Sequence, residues 1–153
     1  MGVLKSKRVE SKADFVNTAN KIYAETINFL TRLSARYSRI LAGPVAALAA
    51  EVVDQAEKAN SIFPSSEQNR QLRAAHLTEA RASLKALDVQ LAHCYIIMML
   101  NPQGCFTTST GKTVDAAKAV EKLDKMSQSL GSLIDDEKIL LERTMESDQT
   151  RKK

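Results

Sequence analysis

The chain has no tryptophan, few aromatic residues, five glycines, three prolines and two cysteines in 153 residues. Two cysteines cannot build the framework of a disulfide-stapled secreted domain. With one on an apolar run and one in a loop, they read as free thiols in a reducing compartment. No window approaches the roughly 18 uninterrupted apolar residues of a membrane-spanning helix. The opening MGVLKSKR meets charge after four positions and lacks the apolar centre of a secretory signal. The expectation is a soluble, cytoplasmic protein with no membrane partner. Scarce glycine and proline beside abundant Ala, Leu, Lys and Glu favour helix, so the expected fold class is all-α. At this length one domain buries a proper core without staples.

The formal net charge is +4, with a pI near 9.1, which raises the question of nucleic acid. The excess is not spread along the chain. Residues 1–12 carry Lys5, Lys7, Arg8 and Lys12 against Glu10, and the end carries Arg151, Lys152 and Lys153. Each of those ends contributes +3, leaving −2 for the body between them. This divides the chain into a basic N-terminal tail (1–12), a helical body (13–148) and a basic C-terminal tail (149–153).

Apolar spacing organises the body into four helices. From Asp14 to Leu33, Phe15, Ala19, Ile22, Thr26, Phe29 or Leu30, and Leu33 recur by threes and fours, with Lys21, Glu25, Asn28 and Arg32 opposite. A second helix, capped by Ser38, turns Leu41, Val45, Leu48, Val52, Ala56 and Ala59 inward, with either a start at Pro44 or a kink there. Ser65 and Gln68 form a capping box for a third, whose stripe of Leu72, His76, Ala80, Leu84, Leu87, Leu91, Cys94 and Met98 spans about 50 Å. Asn101, Pro102 and Gly104 end it. The fourth begins near Val114, capped by a hydroxyl of the Thr110–Thr113 run. It carries Val120, Leu123, Met126, Leu130, Leu133 or Ile134, Leu141 and Met145 inward, and Gly131 in its interior calls for a close helix contact. Four long amphipathic helices with short connections predict an up-down-up-down four-helix bundle.

Residues capable of chemistry do not assemble into a motif. His93 and Cys94 are adjacent and point about 100° apart on a helix, so they cannot share one ion. Two histidines without a Glu-x-x-His pair cannot supply a di-iron bundle. TGKT (Thr110 to Thr113) lacks the glycine spacing and the preceding strand of a phosphate loop. MGVLKS meets the bare N-myristoylation pattern at Gly2, with Lys7 and Arg8 as a second membrane signal. No nucleophile elbow, Ser/His/Asp set or paired acid occurs inside an apolar stripe, so the expectation is a protein without catalytic activity, cofactor, metal or small-molecule substrate.

What remains is a surface. Arg70, Arg81 and Lys85 fall on one side of the third helix with Arg73 at the stripe's edge, while Arg32, Arg36 and Arg39 cluster at the first turn of the bundle. Arginine's planar fork suits phosphate or carboxylate, so these seven are the candidate residues for an anionic partner. The fourth helix is acidic instead, with Asp135, Asp136, Glu137, Glu142, Glu146 and Asp148.

Several segments, FVNTANKIYAETINFLTRL, LAAEVVDQAEKANSI, RQLRAAHLTEARASLKALDVQLAHCYIIMMLNPQGC and LDKMSQSLGSLID, lie between residues 15 and 135 and carry a resemblance that covers roughly residues 13 to 137. Their order resembles a bacterial family of small four-helix-bundle proteins. That family holds the accessory variability protein of diversity-generating retroelements and relatives encoded in intervening sequences of 23S ribosomal RNA genes. The resemblance implies a homopentameric barrel of bundles that partners a reverse transcriptase and helps it bind template RNA through basic surface residues. It makes Arg32, Arg36, Arg39, Arg70, Arg73, Arg81 and Lys85 the positions to watch. The family looks basic throughout, whereas this body sums to −2, which favours a different reading, a protein-only scaffold or assembly module.

Overall fold

The computed structural model describes residues 13–150. The tail at 1–12 with its Gly2 pattern, and Arg151 to Lys153, lie outside the described residues. The order is α1 (Asp14–Leu30), α2 (Ala35–Asn60), α3 (Glu67–Met98), a short 3-10 helix (Pro102–Phe106) and α4 (Ala116–Thr150). Each helix packs on the next, α4 closes on α1, and the 3-10 helix lies against α4. Cross-helix partners descend on one element as they rise on the other: Arg73 with Asp148 and Arg81 with Glu142 join α3 to α4, and Gln55 with His76 joins α2 to α3. The protein is an all-α, up-down-up-down four-helix bundle.

The core follows the expected spacing with instructive exceptions. Val16, Ala19, Ile22 and Phe29 of α1, Val45, Ala49, Val52 and Ala56 of α2, Leu77, Leu84, Leu87 and Cys94 of α3, and Leu123, Leu130 and Leu141 of α4 are all buried. The inward stripe of α3 starts at Leu77. Leu72, expected inside, is 48% exposed, and His76 lies half-buried on the α2 seam, its Nδ1 2.7 Å from Oε1 of Gln55. Steps of four drift round a helix, so a stripe traced backwards from Ala80 by fours slides off the core face.

Capping is shifted by short distances. Ser66, not Ser65, caps α3 by accepting the Asn69 N–H at 3.1 Å. Asp115, not a threonine, caps α4, its Oδ1 accepting the Lys118 N–H at 2.8 Å. α2 starts at Ala35 and runs through Pro44, because Ser34 already holds the extended backbone that a helix start needs. Gly131 has no close neighbour: a Cβ built there meets nothing within 4 Å. The long connector contains the TGKT run as a tight turn. The Gly111 N–H reaches the Thr108 carbonyl at 3.0 Å with Gly111 at φ +87, a left-handed backbone that glycine adopts without a Cβ clash.

One end of the bundle is tied by a buried ion pair. Arg73 Nε donates to Asp148 Oδ2 at 2.6 Å while its Nη1 donates to the carbonyls of Ala59 and Ile62 at 3.1 Å, and its guanidinium lies 5.9 Å from the Phe15 ring. All four helices meet at that side chain. No helix of the described residues is long and apolar enough to cross a membrane.

Candidate nucleic-acid interface

The seven predicted basic positions do not share one face. Because α3 and α4 run antiparallel, Arg70 and Arg73 sit at the end where α1 begins, Arg81 and Lys85 lie along the middle of α3, and Arg32, Arg36 and Arg39 sit at the end where α3 passes into the connector. Separation along α3 between Arg70 and the connector is 28 residues of helix, about 42 Å. Three of the seven are occupied. Arg73 is buried in the tie with Asp148, Arg70 bonds Glu67 at 3.1 Å, and Arg81 faces Glu142 at 3.7 Å with both side chains well solvated. The last of these contributes little, as exposed pairs do.

Lys85 stays in the middle of α3, and the connector end collects Arg32, Arg36 and Arg39. Arg32 leaves the C-terminal turn of α1, reaches the Cys105 carbonyl at 3.4 Å and stacks on Phe106, its guanidinium carbon 4.7 Å from the ring centre. Lys122 of α4 approaches the same ring at 5.3 Å. One aromatic ring thus meets two cations, each attracted by the ring quadrupole. Arg32 Nε is buried without a hydrogen-bond partner. On the first turns of α2, Arg36 and Arg39 are exposed and form no ion pair among the described residues.

Between these elements lies a cleft of about 340 Å³, bounded by Arg32, Tyr37, Ile97, Leu100, Asn101 and Cys105. Its walls are mixed, and its thiol is favoured in the neutral form. Burial pushes Cys105 up from its ordinary value, and the nearby Arg32 charge only partly opposes this; burial alone raises Cys94. Tyr95, which donates to Asp124 across the α3–α4 seam, is held protonated by that bond. Among the described residues no group of three or more His, Cys, Asp or Glu is placed to hold a metal ion.

Charge is polarised along the axis. Residues 28–46 and 88–127, which build the connector half, carry seven Lys and Arg against four Asp and Glu, a net +3. The other half of the body therefore carries −5. Sequence reading found Arg32, Arg36 and Arg39 but missed Phe106 and Lys122. A lone aromatic in a loop carries no periodicity, and only the antiparallel return of α4 brings residue 122 beside residue 32.

One acid read as surface is not there. Glu137 is fully buried, on the α4 stripe between Ile134 and Leu141, and neither carboxylate oxygen has a hydrogen-bond partner. The Arg81–Glu142 and Arg73–Asp148 pairs set its level opposite the turn of α3 around Leu84. Burial pushes its carboxyl up to about 8, so it is protonated at neutral pH.

No protein-family model, curated protein or solved structure matches the chain.

Proposed function

We propose that this protein is a non-catalytic, homo-oligomeric accessory protein of a bacterial diversity-generating retroelement, working in the cytoplasm as a partner of a reverse transcriptase and its template RNA. The RNA contact lies at the connector end of the bundle. One observation carries this reading: Arg36 and Arg39 stand exposed, with no ion pair among the described residues, at the same end of the bundle as the Arg32–Phe106–Lys122 cluster, in a half of the body with net +3. Exposed arginines suit phosphate, and an aromatic ring at the same end of the bundle suits a stacked base. The family resemblance supplies the polymerase partner and the expectation of a five-fold barrel. Arg70, Arg73 and Arg81 leave the interface, since each already has an acidic partner.

A purified reverse transcriptase with its template RNA tests the reading. Complementary-DNA synthesis from that template is expected to require this protein and to fall with Arg36→Glu/Arg39→Glu. Synthesis unchanged when the protein is left out contradicts it.

A second reading, a protein-only scaffold, is favoured by the −5 half of the body and by the apolar outer face of α3. It is separated from the first by RNA binding, which a scaffold lacks at every salt concentration.

A further inference from the structure

The outer face of α3 is apolar where a solvent face should be polar. Seven-residue steps along it pass through Leu72, Glu79, Ala86 and His93 and reach Leu100 in the turn just beyond its end, all exposed. The line between them, at alternating three- and four-residue offsets, is Ala75, Ala82, Val89 and Ile96, also exposed. Leu72 is 48%, Val89 47%, Ile96 59% and Leu100 69% accessible. Together the two lines make a seam of 3.5-residue period opposite the core stripe of Leu77, Leu84 and Leu91. Seven of its nine members are apolar.

The first line of the seam reads as its own complement. About Ala86 the first line is symmetric in position and opposite in chemistry: Leu72 and Leu100 lie fourteen residues either side, and Glu79 and His93 seven residues either side. A two-fold axis through Ala86 lays one α3 antiparallel on another. Leucine then meets leucine, the Glu79 carboxylate accepts from the His93 imidazole of the second copy twice over, and the small alanine sits where the helices approach most closely. Such a surface, complementary to itself under a two-fold, is the signature of an isologous contact. The seam and its α2-facing flank of His76, Ser83, Gln90 and Ile97 hold no charged side chain besides Glu79, apart from what the histidines carry when protonated.

We infer that two copies of this chain associate through an antiparallel α3–α3 contact centred on Ala86, with Glu79 of each paired to His93 of the other. The contact is independent of RNA binding, and it differs from the joint of a five-fold ring, which brings together two different patches. A seam of about 42 Å by about 10 Å covers roughly 400 Å² on each copy. That is about half the area of a standard stable interface, so the dimer is concentration-dependent.

Sedimentation velocity of the full chain from about 5 to 500 µM, without RNA, tests it. The expected result is a reversible, concentration-dependent doubling in mass of the sedimenting species, whether that species is the single chain or a five-fold ring. His93→Glu sets acid against acid and weakens dimerisation at least about tenfold. Glu79→His/His93→Glu exchanges the partners and restores it. Both sites are exposed, and circular dichroism verifies that each variant folds. A species whose mass does not change with concentration, a His93→Glu variant that associates as the parent does, or an exchange variant that fails to recover overturns the inference.

Discussion

Glu137 carries the largest pH dependence that can be argued for a single side chain here. Unfolded, its carboxyl titrates near about 4.3. In the bundle it titrates near about 8 because burial disfavours the charged form and no donor compensates. Between those values the native state holds a proton that the unfolded state has released, so this residue's contribution to stability is intact below about pH 4.3 and is lost as pH rises to about 8. Glu137→Gln keeps the shape and removes the titration. Urea denaturation of both forms at pH 5 and pH 8.5 is expected to show the variant gaining on the parent by about 3 kcal/mol or more at the higher pH. Equal pH slopes would contradict a buried, unpaired carboxyl. In the sequence Glu137 sits directly after Asp135 and Asp136, and that acidic run disguises its place on the Leu130, Ile134, Leu141 stripe.

Elements are held in register by a few side chains, and two of them make opposite predictions. Arg73 joins α3 to α4 and also holds the two carbonyls at and just beyond the end of α2, so Arg73→Ala strands Asp148 with little solvent to receive it. A loss of about 3 kcal/mol in chemical denaturation is expected. If Arg73 were a free surface residue, the change would be within about 0.5 kcal/mol. Gly131 contacts nothing that a methyl group would strike, so Gly131→Ala is expected to stabilise α4 by about 0.5 to 1 kcal/mol, read as a higher thermal midpoint. The four helices were legible because each repeats its apolar residues over many turns. Their caps were legible only to within a few residues, since Ser65 and Ser66 offer the same hydroxyl to the same turn. The partners of Arg70, Arg73 and Arg81 were not equally legible: Glu67 is a local neighbour, whereas Asp148 and Glu142 lie more than 60 residues away and depend on the way α4 returns.

For the molecule as a whole, the return path of the chain also decides where charge goes. A body summing to −2 looks unsuited to RNA until the antiparallel topology sorts it into a +3 connector half and a −5 opposite half. Sequence reading supplied Arg32, Arg36 and Arg39. It could not supply Lys122, or the Phe106 ring that Lys122 shares with Arg32, because those contacts join the first and fourth helices through a connector without periodicity. The outer seam of α3 is hidden for a related reason: spacing alone puts Leu72 on the core stripe, and three of the other eight seam residues are alanine, which marks neither face.

The central claim is that the connector end binds RNA phosphate. The measurement that tests it most directly is an equilibrium titration of a labelled single-stranded RNA with the full chain and with its Arg36→Gln/Arg39→Gln variant, across salt from about 50 to 300 mM. Affinity for the parent is expected to fall linearly on a log–log plot, with the variant's slope shallower by about 1.4, the counterion release of two lost phosphate contacts. Identical slopes for the two proteins, or no binding at the lowest salt, would contradict the account.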